Sequence, residues 1–332
     1  MTRGLLTYAD IWRLGVILAA SALFGLVAPF TSVRIDWESL LPLYVTGTVL
    51  AGFGAAYRLR GRDEGIGAAL FVAAQLIVYT NVAVLDNYLG LELRRPLNDA
   101  FLASLDSAMG VDWWAYVSWV KSNPFVGRLL TLAYLSSLPQ VAIAVILLGF
   151  SRRFDRLDRF TIAFMVSSAL TIAIWTAFPS FGALPLRYAQ GFAEPAFHLA
   201  MTKDEALKLL SLHAGPTPTL NLDGLTGLIG CPSFHTSLAI LSVYALWGTP
   251  YIGPVAAVWN MIVLASVPAD GGHHFVDIAA GVIVTFTSLA LADAALRRAS
   301  KAPAPRFATL RLVRHGQQSG DRCAQEKAGT GG

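Results

Sequence analysis

Eight apolar runs of roughly membrane-spanning length dominate the chain, at about residues 11–30, 39–57, 65–85, 128–150, 159–179, 233–248, 251–268 and 274–296. A helix that crosses a bilayer needs about 20 mostly apolar residues, with a range of ~17–25. The predicted fold is therefore all-α: a polytopic membrane helix bundle of about eight transmembrane helices. Composition agrees. The 332 residues are 55% hydrophobic and 14% charged, with a mean hydropathy of +0.55. Soluble domains carry roughly 25% charge. The first run is too long for the apolar stretch of a signal peptide and has no convincing cleavage site, so it reads as a first transmembrane helix.

The net charge of +4 is small, and the placement of the basic residues matters more. Arg58, Arg60 and Arg62 follow the second run, and Arg152, Arg153, Arg156 and Arg159 follow the fourth. Arg297, Arg298, Lys301, Arg306, Arg311 and Arg314 follow the eighth. With eight spans all three clusters share one side, and short basic loops stay cytoplasmic. Both termini are then expected in the cytoplasm of a multi-pass cell-membrane protein. The loops that carry His235 and His273 are expected on the extracytoplasmic side, which is periplasmic in a bacterium.

The spans divide the chain into two N-terminal transmembrane helices (1–64), a membrane-embedded core (65–298) and a polar tail (299–332) expected to be cytoplasmic and disordered. Segment 91–121 is too polar to span. Leu97, Phe101, Leu105 and Met109 recur at helical spacing, with Asn98, Asp99 and Asp106 elsewhere around the helix and Trp113, Trp114 and Trp119 following. It reads as a helix in the membrane interface or a helical cap over the bundle. The stretch 180–232 is a long polar extracytoplasmic loop. Gly47, Ala51 and Ala55 form a small-residue face for close helix packing. Gln75, Asn81, Gln140 and Asn260 fall within spans, where interhelical hydrogen bonds are their expected role. Cys231 and Cys323 lie in very different segments and imply no disulfide framework or zinc pattern.

Two short stretches carry the chemistry: Cys231-Pro232-Ser233-Phe234-His235, and Ser266 through Asp277. His273 and Asp277 are four residues apart, so on a helix they share a face. A carboxylate there can hold one imidazole nitrogen and leave the other free to attack. The alternative is a polar pair capping a helix end. Ser233 is placed to cap the next helix, whose N-terminus favours an anion such as phosphate. His235, just inside it, suits a proton donor to a leaving oxygen. About 37 residues separate His235 from His273, enough for two spans of ~18 and a tight turn. The chain therefore leaves the site, crosses the bilayer and returns. Two imidazoles facing one anion suit covalent phosphoryl transfer.

These stretches resemble the second and third motifs of the type 2 phosphatidic acid phosphatase superfamily. Pro232, Ser233 and His235 match Pro-Ser-x-His. Ser266, His273 and Asp277 hold their places in Ser-Arg, five residues, His, three residues, Asp. The His-His-aromatic-x-Asp form is similar to the branch containing inositol phosphorylceramide synthases. The resemblance covers about residues 160–296 and implies a six-helix core with His273 as nucleophile, Asp277 orienting it and His235 as general acid. It implies phosphate contacts from Ser233, Ser266 and Arg187, and no metal or other cofactor. Val267 stands where the third motif has Arg. In the first motif only Arg187 remains, with Ser180 in place of Lys. A phosphate monoester carries nearly two charges and a diester one. Fewer cations fit a diester, which tilts the expectation toward headgroup transfer over hydrolysis of phosphatidic acid or an isoprenoid (pyro)phosphate.

The expected partner is a lipid phosphate or phospholipid, with no nucleic acid; the oligomeric state is left open. A rival reading is a proton-coupled transporter, because intramembrane ionisable groups look alike there. Against it, the spans show no repeated halves. A metal site on His273, His274 and Asp277 is disfavoured, because adjacent histidines point in different directions on a helix. Lys203, Lys208 and His213 lie in the long loop as candidate replacement cations, and solvated loop positions are their simpler reading.

Overall fold

The computed structural model describes residues 6–191 and 200–301, with side chains described as far as Arg298. In chain order the helices are α1 Tyr8–Val27, α2 Trp37–Arg60, α3 Glu64–Leu91, α4 Asp99–Ala108, α5 Trp113–Ser122, α6 Pro124–Leu135 and α7 Ser137–Phe150. They continue as α8 Phe154–Ala177, α9 Ala183–Ala189, α10 Lys203–Ala214, α11 Phe234–Leu246, α12 Ile252–Asp270 and α13 Phe275–Lys301. No strand forms among the described residues. One isolated parallel bridge joins Ile35 to Leu220. The residues beyond Lys301, where a disordered tail is expected, lie outside the described residues.

Six helices are individually long and apolar enough to cross a bilayer: α1 with its following turn, α2, α3, α8, α12 and α13. The expected fourth span is a bent pair, α6 and α7, meeting at 49° and counting as a seventh. The expected sixth span is α11, whose 13 residues fall short of a full crossing. At 1.5 Å per residue it rises ~20 Å, against a hydrocarbon core of ~30 Å. Its first turn carries His235.

The core gathers α11 against α7, α8, α12 and α13, while α3 packs on α7 and α8. The first two helices lie against this body, α2 on α3 and α1 on α3 and α8. The small-residue contact of α2 uses Gly47 and Gly54 rather than the expected Gly47-Ala51-Ala55 row. A Cβ on Gly54 would sit 2.9 Å from the Phe71 backbone nitrogen, so only glycine allows this approach.

One buried polar knot ties α1 to its neighbours. The Arg13 guanidinium donates to Asp10 at 2.6 Å, Gln75 at 2.7 Å, Thr161 at 2.9 Å and Asp158 at 3.0 Å. Arg58 donates to the other Asp10 oxygen at 2.6 Å. Arg58 is therefore not the free loop charge that its sequence neighbourhood suggests.

The loops sort into two ends. Arg152 pairs with Asp63 at 3.5 Å, Arg153 reaches the Gly248 carbonyl at 3.2 Å, and Arg159 pairs with Asp293 at 2.6 Å. The α2–α3, α7–α8 and α11–α12 connections and the late part of α13 thus share one end. At the other end Leu220 exchanges backbone hydrogen bonds with Arg34 and Asp36, and Asn98 donates to the Pro179 carbonyl. The second end holds the candidate site.

Candidate active site

Local chemistry fixes each catalytic candidate. Ser233 caps α11, its hydroxyl accepting from the Thr236 amide at 3.4 Å. Its own amide donates to the Asp277 carbonyl at 3.1 Å, which locks the start of α11 to the start of α13. The Asp277 carboxylate lies 3.2 Å from His273 Nδ1 and accepts from the His274 amide at 2.9 Å. It therefore orients one imidazole and caps its own helix together. The His235 and His273 rings face each other at 6.4 Å between centroids, inclined by 66°. Tyr134 of α6 stacks on His235 at 4.1 Å and 21°. His235, His273, Asp277 and Ser233 thus form one cluster, with His273 and Asp277 almost wholly buried.

The remaining sequence candidates sit apart from it. Arg187 of α9 lines an adjacent cavity of about 420 Å³ together with His274, Asp106, Ser107, Asp112 and Trp113. Ser266 is buried within α12, and its hydroxyl donates to the Val263 carbonyl of its own helix. Lys208 donates to the Gly224 carbonyl, the His213 ring contacts the Arg95 carbonyl, and Lys203 lies over the Tyr188 ring. These three side chains are engaged there rather than at the histidine cluster. No group of three or more His, Cys, Asp and Glu residues that could hold a metal occurs among the described residues.

Two aspartates outside the sequence candidates complete the surroundings. Asp99 and Asp106 stand at opposite ends of α4, seven residues apart and on one face. Both are buried, while Phe101 and Met109 are turned outward. Leu97 and Leu105, the other two residues of the expected apolar face, are half-buried. Asp99 accepts from the Ser180 hydroxyl at 2.7 Å and from the Phe181 and Gly182 amides at 3.1 and 2.7 Å. Where the family motif has Lys, Ser180 therefore binds a carboxylate. Asp106 accepts from the Phe275 and Val276 amides, both at 2.9 Å, and so caps α13 from another helix. The only sequence sign of this pair is its seven-residue spacing. Gly182 has φ +103°, and its amide-side approach to Gly272 brings the Leu184 amide to the Gly272 carbonyl at 3.2 Å. A Cβ at Gly182 would collide with that carbonyl.

Asp270, at the end of α12, is also buried. One of its oxygens accepts from the Thr131 hydroxyl at 2.6 Å and the Ala200 amide at 3.1 Å. The other has no hydrogen-bond partner among the described residues. Burial pushes the Cys231 thiol up, and the charges of Asp277 and Asp99 push it further. A protonated thiol is a poor nucleophile, so the cysteine does not compete with the imidazoles.

A family model described as the PAP2 superfamily matches residues 100–291, a stretch that runs from the first turn of α4 into α13. No curated protein and no solved structure matches the chain.

Proposed function

The chain belongs to the PAP2 superfamily, a group of phosphatases and phosphotransferases, and on that premise we propose an integral-membrane lipid phosphoryl-transfer enzyme working through a histidine nucleophile. The observation that carries this reading is the His235–His273 pair, with ring centroids 6.4 Å apart and Asp277 on the Nδ1 of His273.

In this mechanism the Nε2 lone pair of His273 attacks phosphorus. Asp277 accepts a hydrogen bond from Nδ1–H, fixing the tautomer and supporting the positive charge that develops on the ring. As the P–N bond forms, the P–O bond to the leaving group breaks, and His235 gives that oxygen its proton. The now-neutral His235 takes a proton from the acceptor, water or an alcohol. The acceptor oxygen attacks phosphorus, the P–N bond breaks, and both histidines return to their starting forms. The α11 N-terminus, capped by Ser233, offers backbone N–H groups to the phosphoryl oxygens. Arg187 supplies the nearby guanidinium. Ser266 would have to release its helix carbonyl before it touched substrate.

Headgroup transfer from a phosphodiester fits the charge around the site better than monoester hydrolysis. Val267 is apolar and buried where the motif carries Arg, and Ser180 is bound to Asp99 where it carries Lys. A diester brings one negative charge where a monoester brings nearly two at neutral pH. Purified protein given a panel of lipid phosphates and phosphodiesters is expected to move a headgroup between lipids. Release of free phosphate alone would overturn the transfer reading. Chelator is expected to leave turnover nearly unchanged, because the steps above call on side chains and backbone amides alone, and strong inactivation would reinstate a metal.

The basic loops and the site lie at opposite ends of the bundle, which supports a cytoplasmic basic end and an extracytoplasmic site. Single cysteines at Arg62 and Tyr251 are expected to react with a membrane-impermeant thiol reagent only after the membrane is opened. One at Asp223 should react in intact cells. The reverse pattern would invert the orientation, and labelling of Arg62 and Tyr251 from different sides would break the two-ended arrangement.

A further inference from the structure

His274 is used by none of these steps, yet it is as buried as the catalytic candidates. Its Nε2 lies 3.6 Å from Asp99 Oδ1, and its Nδ1 lies 3.7 Å from Asp106 Oδ2. A neutral imidazole has one N–H and cannot serve two carboxylates as donor on both sides. A protonated ring has two N–H groups and matches this arrangement. We propose that His274 is a positioning residue: its protonated ring pins both ends of α4 to the turn that carries His273, and loss of that proton releases the pin and slows turnover. This rests on the phosphoryl-transfer reading of His273.

The pin joins three pieces of the site. Asp99 holds the Ser180–Gly182 segment just before α9, the helix that bears Arg187. Asp106 holds the first amides of α13. His274 stands between them, next in sequence to His273 and with its amide on the Asp277 carboxylate. A shift of α4 would therefore move Arg187, His273 and Asp277 relative to one another. Misplacing reacting groups by about 1 Å can cost roughly 100-fold in rate.

The charged and titratable groups around the ring are known from each side. Asp99 and Asp106 come from α4, and Asp277 from α13. Arg187 of α9 and Asp112, the cap of α5, line the same cavity. His273 is its chain neighbour, and Cys231 lies near Asp99 and Asp277 with its thiol pushed up and neutral. Burial alone would lower the His274 value. The carboxylates of Asp99, Asp277 and Asp106 around the ring outweigh burial and raise it above the ordinary 6.5. The folded state thus holds the proton more tightly than the unfolded chain. Its contribution to stability is full below about pH 6.5 and fades as pH rises through the higher folded value.

Two measurements on the full chain in detergent test this. In protein carrying ¹⁵N-labelled imidazoles, the ring signal that disappears in His274→Gln belongs to His274, one of six histidines. It is expected to show two protonated nitrogens at neutral pH and to titrate above the ordinary histidine value. Over the same range kcat should fall about tenfold per pH unit. His274→Gln is expected to lower kcat by about 100-fold with KM nearly unchanged, and to lose that alkaline limb. Asp106→Asn removes one neighbouring charge and should move the limb to lower pH, which keeps the test alive if His274→Gln does not fold. An alkaline limb that survives in His274→Gln overturns the proposal, as does a ring that titrates at or below the ordinary value. Turnover that survives in His273→Ala sinks the functional reading instead. The nitrogen titration needs no turnover and still decides the state of His274.

Discussion

Replacing His273 with Ala is expected to remove turnover by roughly a million-fold in kcat, the scale seen when a covalent enzyme loses its nucleophile. The protein should still insert and melt normally, because the start of α13 is held by Asp106 and Ser233 rather than by this ring. Asp277→Asn keeps the size of the side chain but no longer dictates which ring nitrogen carries the proton. A loss of about 10⁴-fold is expected, the cost of a wrong tautomer in an analogous histidine–carboxylate pair. His235→Ala removes proton transfer to the leaving group and is expected to cost about 10²–10⁴-fold. The larger loss in His273→Ala separates the nucleophile from the two residues that assist it. Wild-type protein quenched in turnover of a radiolabelled phosphoryl donor should carry an acid-labile label on the chain, and His273→Ala should carry none. Near-normal activity in His273→Ala would eliminate the mechanism, and a label that persists there would move the nucleophile elsewhere.

The cluster of His235, His273, Asp277 and Ser233 was legible in the sequence because its spacing is covalent arithmetic. Four residues set one helix face, a serine before an apolar run sets a cap, and about 37 residues set a return crossing. Asp99 and Asp106 were hidden for a physical reason. Periodicity finds the apolar face of a helix, and in water that face points inward. Beside lipid the apolar side can point outward, and on α4 Phe101 and Met109 do so while the carboxylates turn into the bundle. Tyr134 had no signal at all. Its stack on His235 depends on how α6 crosses α11, and no local pattern encodes that. Arg58 misled in a similar way. A basic residue at a helix end looks like a loop charge until a buried carboxylate from another helix is found beside it.

That buried carboxylate leads to the largest expected effect on stability. Arg13 has a fully buried side chain and makes four hydrogen bonds through three nitrogens, to groups on α1, α3 and α8. Truncating it takes the buried guanidinium from Asp10 and Asp158 and deprives Gln75 and Thr161 of a shared donor. Breaking a buried pair from one side costs about 3–5 kcal/mol, because the abandoned charge stays desolvated. Arg13→Met is therefore expected to lower stability by about that much, measured by thermal unfolding in detergent. Arg13→Lys should recover only part of it, since one ammonium cannot reproduce the planar fork that spans these partners. Arg13→Met protein as stable as wild type would mean that this buried knot does not hold the first helix. Because Arg13 sits with Asp10, Arg58 and Asp158 at the basic end of the bundle, opposite the histidines, turnover per folded molecule should stay near wild type in both variants. A specific loss of kcat in well-folded Arg13→Met would instead make the first helices part of the working enzyme.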